Sequence, residues 1–183
     1  MKLVNLSDFG IRNINYYWER KDKFNLTEAE LTAIGVINGQ ALVDESLIPK
    51  LKMANELLKP LGYELLIKDA YRSKELYELI RQKRYEIDGR DNTDRTFSQT
   101  KMPHSSGLAV DVNLIDLKTE SEVEMWDKLD WPDGIFIGYY KQRQDPVSKK
   151  YQELQDLLIG TMLKAGFRLG EKKEFHHFEV SDL

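Results

Sequence analysis

Alternating apolar and polar residues predict a β-strand over residues 108–114. The apolar positions of this stretch are Leu108, Val110, Val112 and Leu114. Successive side chains of a strand point to opposite faces, so Ala109, Asp111 and Asn113 share the other face. Asp111 therefore points away from the apolar face, and the small Ala109 leaves room beside it for an ion or a substrate. Gly107 allows a tight turn immediately before the strand.

Hydrophobic periodicity also predicts the other elements of the chain. In chain order they are a helix over residues 44–59, a buried strand over 63–68, a helix from about Ser73 to Tyr85, a helix over 149–165 that Gly166 caps, and a closing hairpin of 167–170 and 175–180. We expect the aromatic-rich residues 1–30 to form an arm over the core. Turn residues are frequent in 116–148, which predicts an irregular segment there.

The composition of residues 86–103 predicts a long loop, because the segment contains Asp-Gly, Asp-Asn and Asp-Arg steps and few apolar positions. A loop of this length in a compact domain is usually functional or disordered. Since it leads directly into His104, we interpret it as one wall of a cleft.

Together these elements predict an α+β fold in which a small, mostly antiparallel sheet packs against several helices. The chain has 183 residues, of which 41% are hydrophobic and 32% charged, ordinary values for a globular protein. Because it contains neither an internal repeat nor a linker, we predict one domain over residues 1–183.

Charge and composition exclude several classes of partner. The net charge of −4 provides no basic surface for nucleic acid. No apolar run approaches the ~20 residues that span a membrane, and the N-terminus lacks the apolar core of a signal peptide. We therefore expect a cytoplasmic protein that binds neither nucleic acid nor membrane.

Histidines and carboxylates are the available ligands for a transition metal, because the chain has no cysteine. The three histidines are His104, His176 and His177. Two histidines and Asp111 would leave a fourth zinc position open, which is typical of a catalytic site. We predict that His176 and His177 are strand neighbours facing opposite ways, so one of them can join His104, and spacing alone leaves the choice open. The alternative is an ordinary strand with incidental His and Asp residues.

Three ordered motifs resemble those of the D-alanyl-D-alanine dipeptidases, which belong to a larger group of zinc carboxypeptidases and cell-wall endopeptidases. The motifs are Asp69-Ala-Tyr-Arg72, His104-x-x-Gly107-x-Ala109-x-Asp111 and Glu174-x-x-His177. The likeness continues into Gly10-Ile-Arg12, with Tyr17 seven residues after Gly10, and so covers nearly the whole chain.

The resemblance implies a role for each residue of these motifs. His104, Asp111 and His177 would hold a zinc ion. Glu174, in the turn before the last strand, would be the general base that moves a proton from water to the leaving amine. Arg72 would stabilise the oxyanion of the tetrahedral intermediate. The alternative for Arg72 is a local salt bridge to Asp69.

Two further residues are assigned to substrate binding. Tyr17 matches a tyrosine that lines the substrate pocket of the family. Met102 and Pro103 stand where the dipeptidases carry a serine that contacts the substrate, which implies a weaker preference among dipeptides.

The implied activity is zinc-dependent hydrolysis of D-Ala-D-Ala or a related small peptide with a D-residue. One alternative is a cell-wall carboxypeptidase or endopeptidase of the same fold. Another is an iron oxygenase with two histidines and one carboxylate, although those enzymes typically place the first His and the carboxylate one residue apart. A non-catalytic binding protein is the last alternative, and the presence of Glu174 and Arg72 argues against it.

Overall fold

The computed structural model describes residues 1–97 and 101–180 and has the predicted α+β architecture. Its strands are β1 (Leu3–Asn5), β2 (Leu42–Asp44), β3 (Tyr63–Asp69), β4 (Ala109–Asp116), β5 (Ser121–Glu122), β6 (Arg168–Leu169) and β7 (His177–Glu179). Its α-helices are α1 (Tyr16–Glu19), α2 (Glu28–Ala33), α3 (Ile48–Leu58), α4 (Lys74–Asp88), α5 (Arg90–Thr96) and α6 (Pro146–Lys164). Among the described residues, none of the helices has the length and apolar character needed to cross a membrane.

The larger sheet has five antiparallel strands. Its order is β3-β4-β7-β6, and β5 pairs with the far end of β4. β1 and β2 form a separate antiparallel pair. The predicted closing hairpin is confirmed, since Arg168 of β6 lies opposite Glu179 of β7. The irregular segment is also confirmed, with β5 and three 3-10 turns at Lys128–Asp130, Asp133–Ile135 and Tyr139–Gln142.

The main core lies under one face of β4, as the alternation predicted. Val110, Val112 and Leu114 are almost fully buried. They belong to one cluster with apolar side chains of α3 and α6, among them Leu51, Ala54, Leu154 and Leu158. The opposite face of β4 carries Asp111 and Asn113 and is free to line a site.

The N-terminal aromatic residues form a second core instead of lying over the first. Tyr17 and Phe24, whose ring centroids are 5.3 Å apart, pack with apolar side chains of α2 and α4. The buried members of this cluster are Tyr17, Phe24, Leu26, Leu31, Leu76, Tyr77, Ile80 and Phe97. The prediction of an arm over a single core is therefore wrong in this respect.

The predicted loop over 86–103 is also wrong, because α4 continues to Asp88 and α5 follows it. Hydrogen bonds between residues far apart in the sequence stabilise α4 and α5. Arg84 donates a hydrogen bond to Oγ1 of Thr96 at 3.0 Å. Lys172 donates to the carbonyl groups of Asp94 and Arg95, at the end of α5, at 2.6 and 2.9 Å. Residues 98–100 of the predicted loop lie outside the described residues.

Capping side chains explain where the other helices begin. Ser73 accepts a hydrogen bond from the amide of Leu76 at 3.2 Å, which confirms the predicted start of α4. Asp145 accepts one from the amide of Ser148 at 2.8 Å, so α6 begins three residues before its predicted start. The helix predicted over 44–59 is shorter, because Asp44 ends β2 and a 3-10 turn, Glu45–Leu47, precedes α3. Pro49 lies in the first turn of α3, where a proline removes no hydrogen bond of the helix.

We expect Asn55→Leu to destabilise the fold by about 1–3 kcal/mol, because it leaves a buried amide without an acceptor. Asn55 is 5% exposed, and its Oδ1 accepts a 2.8 Å hydrogen bond from the amide of Leu65 on β3. Urea denaturation followed by circular dichroism would measure the change. Glu56→Ala on the exposed side of α3 is the control and should change stability by less than about 1 kcal/mol. Equal stability of Asn55→Leu and the wild type would contradict the prediction.

Candidate metal centre

Strand register places three polar residues in one row across the sheet. Asp111 of β4 lies opposite His177 of β7 on one side and opposite Asp69 of β3 on the other. The β3 register shifts between Ile67 and Asp69, so Lys68 is an extra residue in that strand. Directly opposed side chains of antiparallel strands share a face, so the row forms one side of a site.

His104 reaches this row from a 3-10 turn, Pro103–Ser106, that directly precedes β4. The turn ends at Gly107, whose φ of 73° favours glycine. A Cβ atom on Gly107 would also lie 3.1 Å from the amide nitrogen of Asp44. The prediction that Gly107 permits a tight turn is thus confirmed, and the turn buries His104 to 2% exposure.

One donor atom each from His104, Asp111 and His177 forms a compact group, with all three atoms within 4.8 Å of one another. Nε2 of His104 lies 3.2 Å from Nδ1 of His177 and 3.5 Å from Oδ1 of Asp111. Tetrahedral zinc with bonds of about 2.0–2.2 Å requires ligand atoms roughly 3.3–3.6 Å apart. The third separation, from His177 Nδ1 to Asp111 Oδ1, is 2.7 Å and would lengthen by roughly 0.6 Å on metal binding. The three residues therefore fit a metal with one or more open positions.

The remaining nitrogen of each histidine has a partner of its own. Nδ1 of His104 lies 2.6 Å from the carbonyl oxygen of Ala70, and Nε2 of His177 lies 3.1 Å from Oε1 of Glu179. When these nitrogens carry the protons, they donate to those oxygens and leave Nε2 of His104 and Nδ1 of His177 for a metal. Such outer hydrogen bonds are typical of protein metal sites.

A glycine makes space for the His177 ring. A Cβ atom on Gly170 would lie 2.1 Å from Cδ2 of His177 and 3.3 Å from Oε1 of Glu179. Gly170 is adjacent to β6, and its amide donates to the carbonyl of His177 at 3.3 Å. Any side chain at this position would therefore displace the ring from the group.

The charges of the group favour a cation. Burial lowers the pKa of His177, but hydrogen bonds to Asp111 and Glu179 outweigh it and raise the pKa to about 10. Burial and the nearby Arg72 charge lower the pKa of His104, so its ring is neutral near pH 7. Burial opposes ionisation of Asp111, but the two histidines keep its pKa well below the usual range. A metal ion would displace the proton on Nδ1 of His177, so binding would release that proton.

The structure separates the two neighbouring histidines. His177 belongs to β7 and joins the group, whereas His176 lies in the preceding turn, outside it. The prediction that both are strand residues is therefore wrong for His176. Its ring packs at right angles to Phe175, with centroids 5.2 Å apart, and burial lowers its pKa to about 4.

Glu174 lies in the turn before β7, as predicted, and bridges to Phe136. It is 7% exposed, and no hydrogen bond to its carboxylate is formed by the described residues. Burial, followed by the negative charge of Asp111, raises the pKa of Glu174 to about 7. A cation held by the neighbouring ligands would lower that pKa, because it adds positive charge near the carboxylate.

Arg72 is fixed between two carboxylates and three aromatic rings. Its Nε lies 2.8 Å from Oδ2 of Asp69, although the N–H is not aligned for a hydrogen bond, and its Nη2 lies 3.5 Å from Oδ2 of Asp111. The predicted local salt bridge to Asp69 is therefore present. The guanidinium carbon lies 4.7, 5.3 and 5.5 Å from the ring centroids of Tyr77, Phe97 and Tyr17.

A cavity of about 1480 Å³ has His104, Asp111, His177, Glu174 and Arg72 in its wall. Tyr17 and Met102, the two residues assigned to substrate binding, also line it. Tyr17 is only 3% exposed. Its ring packs against the guanidinium of Arg72, and little of it is open to the cavity. Residues of α5, including Asp94 and Thr96, form part of the wall, so the segment after residue 86 lines a cleft, but as a helix and not as a loop.

Sequence reasoning missed Glu179 as a partner of His177. Residues two apart on a strand share a face, so the spacing of His177 and Glu179 contained the relevant signal. Gly170 and the carbonyl group of Ala70 were also missed. No sequence pattern identifies them, because their role depends on which strands become neighbours.

No protein-family model matches the chain, and no curated protein matches it. A function for this site must therefore be argued from its geometry and from the resemblance of the three ordered motifs.

We expect His177→Ala to abolish tight zinc binding and His176→Ala to leave it largely intact. His177 contributes Nδ1 to the group, whereas His176 lies outside it. Metal analysis of the purified variants should find about one zinc per chain in the wild type and in His176→Ala. Equal loss of zinc from both variants would contradict the choice between these neighbours.

We expect Glu179→Ala to weaken zinc binding by about 10–100-fold, because His177 loses the acceptor that orients its ring. Glu179→Gln keeps an acceptor oxygen and should lose less. Competition with a fluorescent chelator would give the affinities. Arg168→Ala is the control, since Arg168 contacts Oε2 of Glu179, at 3.3 Å, and not the oxygen that faces His177; it should have a small effect. Unchanged affinity in Glu179→Ala would contradict this role.

Proposed function

We propose that the chain is a zinc-dependent peptidase that hydrolyses D-Ala-D-Ala or a related small peptide containing a D-residue. The observation that carries the proposal is the buried Glu174 carboxylate in the same cavity as His104, Asp111 and His177. The D-residue class depends on the resemblance of the ordered motifs. A zinc ion held by the three ligands would lower the pKa of a water molecule and polarise the substrate carbonyl.

Glu174 is suited to the role of general base. Its carboxylate makes no hydrogen bond with the described residues, so it is available to accept a proton from the attacking water. It would then pass that proton to the amine that leaves when the peptide bond breaks. Burial raises the pKa of Glu174 and the charge of a bound zinc ion would lower it, so the carboxyl group could both take up a proton and release it.

Arg72 is suited to stabilising negative charge on the substrate carbonyl oxygen. Arg72 is 5% exposed, and the surrounding rings of Tyr17, Tyr77 and Phe97 limit the movement of its guanidinium. A donor that is already oriented needs little rearrangement when charge develops. Because Asp69 partly neutralises Arg72, the cost of burying its positive charge is reduced.

The size of the cavity favours a second candidate, a carboxypeptidase or endopeptidase that acts on longer cell-wall peptides. At about 1480 Å³ it exceeds the roughly 300–1,000 Å³ typical of drug-sized ligands. A dipeptide would occupy only part of that volume.

Substrate comparison with one zinc-loaded preparation tests the proposal. The substrates are D-Ala-D-Ala, L-Ala-D-Ala, an N-acetylated dipeptide and a muropeptide. We expect cleavage of D-Ala-D-Ala, with modest preference among free dipeptides because Met102 and Pro103 offer no side-chain hydroxyl group. Cleavage of the blocked or polymeric substrates alone would favour the second candidate.

We expect Glu174→Gln to lower turnover by about 10²–10⁴-fold while zinc content is kept, because the substitution removes only the proton acceptor. Parallel measurement of kcat and bound zinc separates the two effects. Glu153→Gln on the exposed side of α6 is the matched control and should behave as the wild type. Near-normal turnover in Glu174→Gln would assign the base to another residue.

A further inference from the structure

The helical wall of the cavity contains a buried arginine, Arg84, that the proposed reaction does not use. Arg84 lies on α4, is 9% exposed, and lines the same cavity as His104, Asp111 and Glu174. A buried cation in the wall of a site is costly unless it has partners or binds a ligand.

Two of the three guanidinium nitrogens of Arg84 donate hydrogen bonds to neighbouring side chains, and the third does not. Its Nε donates to Oδ2 of Asp88 at 3.1 Å, and its Nη2 donates to Oγ1 of Thr96 at 3.0 Å. Nη1 makes no hydrogen bond with the described residues, and it is not among their fully enclosed, unpaired polar atoms. Nη1 is therefore not fully enclosed by the protein, and Arg84 is a residue of the cavity wall.

Two aromatic rings pack against the Arg84 guanidinium, and one of them also limits its distance from Arg72. Its carbon lies 5.5 Å from the centroid of Phe97 and 5.9 Å from that of Trp131. The guanidinium carbon of Arg72 lies 5.3 Å from the same Phe97 ring. The two carbons are therefore no more than about 11 Å apart. An extended peptide covers about 3.3–3.6 Å per residue, so a short peptide spans that distance.

Two further cations lie near Arg84. Arg20 and Lys23 line the same cavity, and neither forms a salt bridge with any residue in the described ranges. The charges that act on Lys23 are those of Asp88, Arg20 and Arg84, and the charge of Arg84 also acts on Glu174. The three cations therefore outnumber these two carboxylates, which favours an anionic ligand group.

We propose that Nη1 of Arg84 binds the free C-terminal carboxylate of the peptide substrate. This inference rests on the proposed peptidase function and narrows it to peptides that end inside the cavity. Arg72 is less available for the same task, because Asp69 and Asp111 already contact its guanidinium. Nη1 offers two N–H donors, and hydrogen bonds between a guanidinium and a carboxylate are among the strongest in proteins.

The test compares a free acid with its amide. Zinc-loaded Glu174→Gln enzyme, which should bind without turnover, is titrated with D-Ala-D-Ala and with D-Ala-D-Ala amide in a calorimeter. The same pair is repeated for a pentapeptide that ends in D-Ala-D-Ala. We expect each acid to bind roughly 10- to 100-fold more tightly than its amide.

Arg84→Met in the same background should remove this preference by weakening acid binding and leaving amide binding unchanged. The matched control is Arg81→Met, on the same helix, since Arg81 pairs with Glu78 and does not line the cavity. It should keep the preference. Zinc content and thermal unfolding establish that each variant is folded. If Arg84→Met does not fold, the comparison of acid with amide in the parent enzyme still tests the proposal, because it requires no Arg84 variant.

Equal affinity of acid and amide in the parent enzyme would overturn the assignment of Arg84, as would an unchanged preference in folded Arg84→Met. Either result would leave the peptidase proposal standing. Equal affinity would favour cleavage within a longer chain, whereas an unchanged preference in Arg84→Met would assign the carboxylate to another residue. Absence of binding by every peptide, with zinc present, would instead reject the peptidase proposal and this inference together.

Discussion

The largely buried carboxylate of Asp111 is the constraint on which the site depends. A buried charge is strongly unfavourable unless it is paired, and Asp111 is paired on several sides. His177 lies 2.7 Å away, while Arg72 and His104 each lie 3.5 Å away. These partners come from β7, from the segment after β3 and from the turn before β4. The charge of Asp111 is therefore compensated only when all three parts of the chain are in place.

Antiparallel pairing and one bulge bring these partners together. Asp69 lies opposite Asp111 because the register of β3 shifts after Ile67. Without that shift, Lys68 would occupy the position opposite Asp111. The bulge therefore places next to Arg72 a carboxylate that fixes its guanidinium. Bulges are frequent beside active sites for this reason, since they redirect a side chain without ending the strand.

The elements that depend on local signals could be predicted from the sequence. The alternation around Asp111 gave the faces of β4 correctly, and Ser73 marked the start of α4. The helix over Arg90–Thr96 could not be predicted, because its residues are polar and its stabilising contacts include Lys172, 77 or 78 residues away in the chain. The grouping of His177 with His104 likewise depends on where β7 begins, which the spacing of the residues did not determine.

The two sides of the cavity are built from different parts of the fold, and under the proposed function this division would separate metal binding from substrate selection. Strands β3, β4 and β7 fix Asp111 and His177 through backbone register, which leaves little freedom for change. The helical side presents Tyr17 and Phe97 of the second hydrophobic core, together with Arg84 of α4. If the chain is the proposed peptidase, substitutions on that side would alter the length and charge of an accepted peptide while the sheet keeps the candidate metal ligands in place. Substrate preference would then depend least on the metal-binding motifs and most on the helical wall.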